Sequence, residues 1–141
     1  MVREFAAEKL RPGAAVRDEN GLFPTEIFRQ LGALGLLGML VPERYGGAGS
    51  DTLSYVLAVE EIARADASVA VGMSVTNSVC QWPILRFGSE ELKARVLPPL
   101  ARGDVLGGIM LTEPDAGSDV ASLRTVYRRD RGNFVLSGSK E

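Results

Sequence analysis

Histidine is absent from the sequence, and cysteine occurs once, as Cys80. Without histidine, the usual neutral-pH general base, a Ser–His triad and every His-based metal site are excluded within these residues. A single cysteine excludes an intramolecular disulfide and an all-cysteine zinc site, so no metal centre is expected. An excess of charge of one sign is missing too: sixteen basic residues stand against eighteen acidic ones, a formal net charge of -2. That balance provides no electrostatic footprint for nucleic acid and no polybasic patch for anionic lipid. Nor is there a clean apolar run. The uncharged stretch 67–85 approaches the length of a membrane span, yet Thr76, Asn77, Gln81 and Pro83 interrupt it, which points to a buried helix. Arg3, Glu4, Glu8 and Lys9 break up the N-terminus before any signal-peptide core forms. A cytoplasmic setting without a membrane span is the expectation.

What is present reads as globular. A length of 141 residues with 45% hydrophobic and 24% charged residues suits one domain, or one domain and part of a second. The first hundred residues read as helices divided by glycine and proline. Val2, Phe5, Ala6 and Leu10 share a helical face that Pro12 and Gly13 should end. Pro24 suits the first turn of a second helix with a buried stripe of Ile27, Leu31 and Leu34. Asp51 and Asp66 are candidate caps for helices over 52–64 and 67–81; the first has apolar residues on more than one face and the second is almost charge-free, so both should be covered by neighbours. Residues 83–87 suggest a short turn. Ser89 can cap a last helix, with Glu90 and Glu91 at the positive end of its dipole and Pro98-Pro99 breaking it.

After Gly103 the period changes. The apolar run 105–111 suggests a buried strand, and 123–129 with 134–139 suggest a hairpin about Asp130-Arg131-Gly132-Asn133. The expected fold class is therefore α+β: a mostly α-helical bundle over 1–103, followed over 104–141 by the first strands of a β domain. So short a piece of sheet leaves an open edge and little core, so the chain is expected to stop inside that second domain.

The densest cluster of unusual residues is Leu-Thr-Glu-Pro-Asp-Ala-Gly-Ser-Asp-Val at 111–120. Pro114 and Gly117 suit a tight backbone, the first by fixing φ and the second by permitting turn conformations, and small residues let a ligand approach the main chain. Consecutive amides in such a turn can face an anion, and Thr112 and Ser118 add hydroxyl donors. The same residues also suit a plain connecting loop with Asx turns and a helix cap.

This decapeptide resembles the signature of the acyl-CoA dehydrogenase family. Leu34-Gly35-Leu36-Leu37-Gly38 with the Val41-Pro42-Glu43-Arg44-Tyr45-Gly46-Gly47-Ala48-Gly49 stretch resembles that family's helix-to-loop segment. The run from Pro83 to Lys93 is similar to the segment before the last helix of its first domain. Leu136-Ser137-Gly138-Ser139-Lys140 resembles the start of the strand leading to its flavin-contacting Trp-Ile-Thr stretch. The blocks keep the family's order over essentially the whole chain. Asp115 departs from the pattern, since many members carry glycine there.

The resemblance implies that the second domain is β-barrel-like and that the protein is an FAD-dependent oxidoreductase that desaturates an acyl-CoA thioester. In that family a glutamate of the C-terminal bundle removes the α-proton while the β-hydrogen passes to the flavin. It implies that Ile109, Met110, Leu111, Thr112, Gly117 and Ser118 bind FAD, with Thr112 on the isoalloxazine ring and Ser118 serving both the pyrophosphate and the substrate. No residue of this sequence matches the catalytic glutamate, so no catalytic residue is expected within it, and Glu113 is assigned a structural position. An electron-transfer flavoprotein as electron acceptor and a homotetrameric assembly are implied in the same way. Acyl-CoA oxidases and some flavin monooxygenases share the scaffold, and a helical interaction module without cofactor is the alternative outside it. Read from the residues alone, Cys80, Met73 and Met110 are core, Trp82 packs at a helix end, and Arg124, Arg128, Arg129 and Arg131 form a charged hairpin end.

Overall fold

Three helix starts follow directly from side-chain chemistry. The carboxylate of Asp51 accepts from Ser54 N–H at 2.8 Å, that of Asp66 from Val69 N–H at 3.1 Å, and the Ser89 hydroxyl from Leu92 N–H at 3.2 Å. Each satisfies an N–H that the first helical turn leaves without a partner. The computed structural model describes residues 1–141 and divides into two compact units, Met1–Gly108 and Ile109–Glu141.

The first unit is helical: α1 (Val2–Phe5), α2 (Ala14–Asn20), α3 (Thr25–Ala33), α4 (Thr52–Ala63), α5 (Ala67–Ser74), α6 (Trp82–Phe87) and α7 (Glu90–Ala101). Its main core gathers Leu10, Phe28, Leu31, Leu37, Ile62 and Met73 among others, and a smaller cluster joins Val41, Tyr45 and Leu97. No helix is long and apolar enough to cross a membrane.

Several expectations for this unit are corrected. Pro12 and Gly13 do not end the first helical segment. A π-helical turn at Ala6–Leu10 and a 3-10 turn at Arg11–Gly13 carry the chain into α2, which stops at Gly21 with φ 60. In α3 the buried face is Phe28 and Leu31; Ile27 is half-buried and Leu34 is exposed, because Pro24 sits at the N-cap and the helix ends before Leu34. Residues 83–87 are helix α6 and not a turn, since Pro83 lies in the first turn, where a missing N–H is harmless. Pro98 and Pro99 stay inside α7: Leu97, Leu100 and Ala101 are buried there, and burial outweighs the lost backbone bonds. Helix α4 is not covered all round, with Leu53, Val56 and Leu57 exposed, and in α5 Val71 is exposed as well.

Between α5 and α6 the backbone widens into a π-helical segment, Val75–Gln81. Its Asn77 is fully buried and takes three hydrogen bonds: its Oδ1 accepts from Met39 N–H, and its Nδ2 donates to the carbonyls of Leu36 and Met73. Gln81, also fully buried, donates to Leu37 O at 2.6 Å. These amides tie the irregular 34–41 stretch to the helices, because buried backbone groups outside a helix need partners. That role explains polar residues in an otherwise uncharged segment.

The apolar run 105–111 forms no strand; it is irregular, and Val105, Leu106, Ile109, Met110 and Leu111 are exposed. The core reading of Met110 fails with it, while Met73 is fully buried as expected. Gly107 instead packs within the first unit beside Cys80, where an added Cβ would come within 2.1 Å of Sγ. Cys80 is half-buried, and burial raises its thiol pKa. In the second unit, β1 (Val126–Asp130) and β2 (Asn133–Ser137) pair antiparallel, with Val126 opposite Ser137 and Arg129 opposite Phe134. The strands sit a few residues from the expected bounds and leave a two-residue turn. Its Arg131 and Gly132 have φ 48 and 87, the double positive φ that matches the twist of a tight hairpin.

Candidate functional site

The site is built within the second unit from residues 109–118 and the two segments that brace them. Glu113 and Ala116 exchange backbone hydrogen bonds, each 3.0 Å, which closes the Pro114-Asp115 turn. Arg124 reaches Asp115 at 3.2 Å in an exposed ion pair, a partner for the carboxylate that stands where the family pattern has glycine. Gly117 and Ser118 follow on the exposed side, and a Cβ at Gly117 would meet nothing within 4 Å.

Glu113 is the exception in this polar loop, being 7% exposed. One carboxylate oxygen accepts from Arg124 N–H at 2.6 Å; the other accepts from Thr125 N–H and from Lys140 Nζ, each at 2.9 Å. The Arg124 amide, foremost, with the Thr125 side chain and the Lys140 ammonium, holds the carboxyl at about 2. The Thr125 hydroxyl adds to that pull from beside the carboxylate, although its geometry falls short of a hydrogen bond. A carboxylate so engaged is a poor proton acceptor near neutral pH. Lys140 also donates to Leu111 O at 2.8 Å, and Glu141 N–H donates to Thr112 O at 2.9 Å.

The structure therefore brings Leu111, Thr112, Gly117 and Ser118 onto one braced turn, with Ile109 and Met110 as its exposed apolar lead-in. The Thr112 hydroxyl and the Thr112 N–H make no bond within the chain. Free donors beside exposed apolar side chains fit a flat aromatic ligand with a polar edge, which is the chemistry of an isoalloxazine ring. The Glu113–Lys140 brace was not legible in the sequence. A lysine 27 residues from its partner carries no local signal. A cavity of about 590 Å³ in the first unit, lined by Arg17, Phe23, Phe28 and Asp66 among others, involves none of these residues. No group of three or more Cys, Asp or Glu side chains is placed to hold a metal ion.

Comparison with known proteins gives this geometry a context. The family model described as acyl-CoA dehydrogenase, N-terminal domain, matches residues 1–104. An acyl-CoA dehydrogenase of Bacillus subtilis (strain 168) is 48% identical over 140 residues, covering 99% of this chain and 37% of the relative. Among solved structures, the butyryl-CoA dehydrogenase of Megasphaera elsdenii superposes with a TM-score of 0.91 at 43% identity, covering 99% of this chain and 37% of that one. A glutaryl-CoA dehydrogenase of Mycobacterium smegmatis in complex with FADH2 gives a TM-score of 0.93 at 41% identity, over 99% of this chain and 36% of that one. The chain thus spans little more than a third of the length of the curated relative it matches. With the family match over most of its residues and solved relatives along nearly all of them, the chain belongs to the acyl-CoA dehydrogenase family.

Proposed function

We propose that residues 1–141 form the N-terminal part of an FAD-dependent acyl-CoA dehydrogenase, in which 104–141 open the central β domain. The observation that carries this reading is the braced turn at 111–118, with its free Thr112 donors next to exposed Ile109, Met110 and Leu111. In this reading Ile109, Met110 and Leu111 lie along the isoalloxazine ring, and the Thr112 hydroxyl donates to it. Gly117 leaves room for the backbone to approach the pyrophosphate, and Ser118 serves both pyrophosphate and acyl-CoA. FAD, when bound, supplies the acceptor for the hydride that leaves the β-carbon of the thioester. Glu113 holds the turn and takes no proton, since its depressed pKa leaves it ionised and fully engaged. The α-proton acceptor is a glutamate outside residues 1–141. An electron-transfer flavoprotein as electron acceptor, a homotetrameric assembly and a cytoplasmic location belong to the same proposal.

The test is a flavin spectrum of the whole enzyme of which residues 1–141 form the N-terminal part, followed by anaerobic addition of acyl-CoA thioesters of graded chain length. Bleaching of the flavin band by one of them, with formation of the corresponding enoyl-CoA, supports the reading. A protein that binds no flavin, or whose flavin no thioester bleaches, overturns it.

A further inference from the structure

The brace behind the turn has a chemical consequence for the peptide that joins Leu111 to Thr112. Its carbonyl, Leu111 O, accepts from Lys140 Nζ at 2.8 Å. No peptide bond in the chain is cis, so this peptide is trans, and its N–H points opposite to its carbonyl. The Thr112 N–H therefore faces away from Lys140, and it has no partner within the chain. The next carbonyl, Thr112 O, is held by Glu141 N–H at 2.9 Å, and the Glu113 N–H is committed to Ala116 O. Of these two successive peptide groups, the one pinned by an ammonium is the one whose N–H is left for a ligand.

An ammonium bonded to a carbonyl draws charge out of the amide and makes the N–H at its far end a stronger donor. Lys140 can do this only if its own position is fixed. Its side chain is mostly buried, and the Glu113 carboxylate, itself anchored by two backbone N–H groups, holds the ammonium at 2.9 Å. The chain of contacts runs from the 124–125 backbone through Glu113 and Lys140 to the Leu111–Thr112 peptide.

We propose that Lys140 and Glu113 are positioning residues that orient and polarise the Leu111–Thr112 peptide, so that the Thr112 N–H donates to the flavin and favours its reduced, more negative state. The proposal rests on the flavin-binding reading given above. A donor strengthened in this way stabilises developing negative charge more than it stabilises the resting ring, and so raises the flavin potential and speeds flavin reduction.

The experiment compares Lys140→Met, Lys140→Arg and Glu113→Gln with the parent in the flavin-loaded protein, reading flavin content, absorbance spectrum, midpoint potential and the rate of flavin reduction. Lys140→Met removes the ammonium and keeps an apolar stem of similar length. It is expected to retain flavin, lower the midpoint potential, shift the flavin absorbance band and slow reduction roughly tenfold, about 1.4 kcal/mol of barrier. Lys140→Arg is expected to restore most of the potential, and Glu113→Gln to fall between. A purely structural brace would lower stability and flavin content while the retained flavin kept its parent potential and spectrum. That outcome overturns the proposal. Should Lys140→Met fail to fold, the Thr112 amide resonance in Lys140→Arg and in Glu113→Gln decides: movement relative to the parent supports the proposal, and an unmoved resonance in both overturns it. Failure of the flavin reading itself is distinguishable, because the parent protein would then bind no flavin at all.

Discussion

The two units are held together by different physics. In Met1–Gly108, apolar side chains from helices far apart in sequence share a dry core, and Leu10, Leu31, Leu37, Ile62, Met73 and Leu97 have no exposed surface. In Ile109–Glu141 only Glu113 and Ala116 are buried, and both hairpin strands are open, with Tyr127, Phe134 and Leu136 each more than 60% exposed. There a charged, hydrogen-bonded carboxylate takes the organising place that leucine takes in the first unit. Apolar burial is non-directional and tolerates small shifts. A carboxylate with its acceptor sites filled by two amides and an ammonium fixes direction as well as distance. The polar unit is the one expected to present donors to a ligand, and orientation is what that task needs.

That contrast can be broken most severely in the first unit. Leu31→Ala removes a fully buried side chain from the main core and should cost about 2–5 kcal/mol in chemical denaturation. A loss under about 1 kcal/mol would mean that the core does not carry the unit. Asn77→Ala should cost somewhat less, roughly 2–4 kcal/mol, because Met39 N–H and Leu36 O are left unpaired inside the protein. A neutral Asn77→Ala variant in the same melt would contradict the view that this amide holds the 34–41 stretch.

In the second unit the expected effects fall on function before stability. Thr112→Val keeps the shape and branching of the side chain and removes its hydroxyl. In the flavin-loaded protein it should slow flavin reduction by roughly ten- to a hundredfold with flavin content barely changed, the size of a charge-assisted hydrogen bond lost mainly in the transition state. Ser118→Ala should instead weaken flavin retention or raise KM, which equilibrium dialysis and steady-state kinetics separate. If both variants match the parent in potential, content and rate, the turn is structural only.

The smallest effect is a titration. Glu113 has its pKa lowered from 4.5 to about 2, so the folded unit binds this proton less readily than the unfolded chain does. Its contribution to stability is therefore fully present above about 4.5 and is lost as the pH falls through about 2. Carbon NMR of the Glu113 carboxyl should show a midpoint near 2, and a midpoint at the ordinary glutamate value would show that the brace does not form in solution.

How much of this was legible in advance follows from the range of each interaction. Asp51, Asp66 and Ser89 were readable as caps because each bonds an amide three residues on. The Arg131-Gly132 turn was readable because tight hairpins demand positive φ in a short span. The order of motifs along the chain was enough to place it in its family, and the change of hydrophobic period after Gly103 carried the α+β fold class. Tertiary structure alone decided the rest. Pro98 and Pro99 remain helical because Leu97, Leu100 and Ala101 are buried, a fact no local propensity contains. Residues 105–111 looked like a strand, but no neighbouring strand pairs with them, and Gly107 lies against Cys80 instead. Glu113 meets Lys140 across 27 residues of chain. Caps and turns close within a few residues and so are written in the local sequence. Cores and braces close between distant residues, and only the folded chain determines which of them meet.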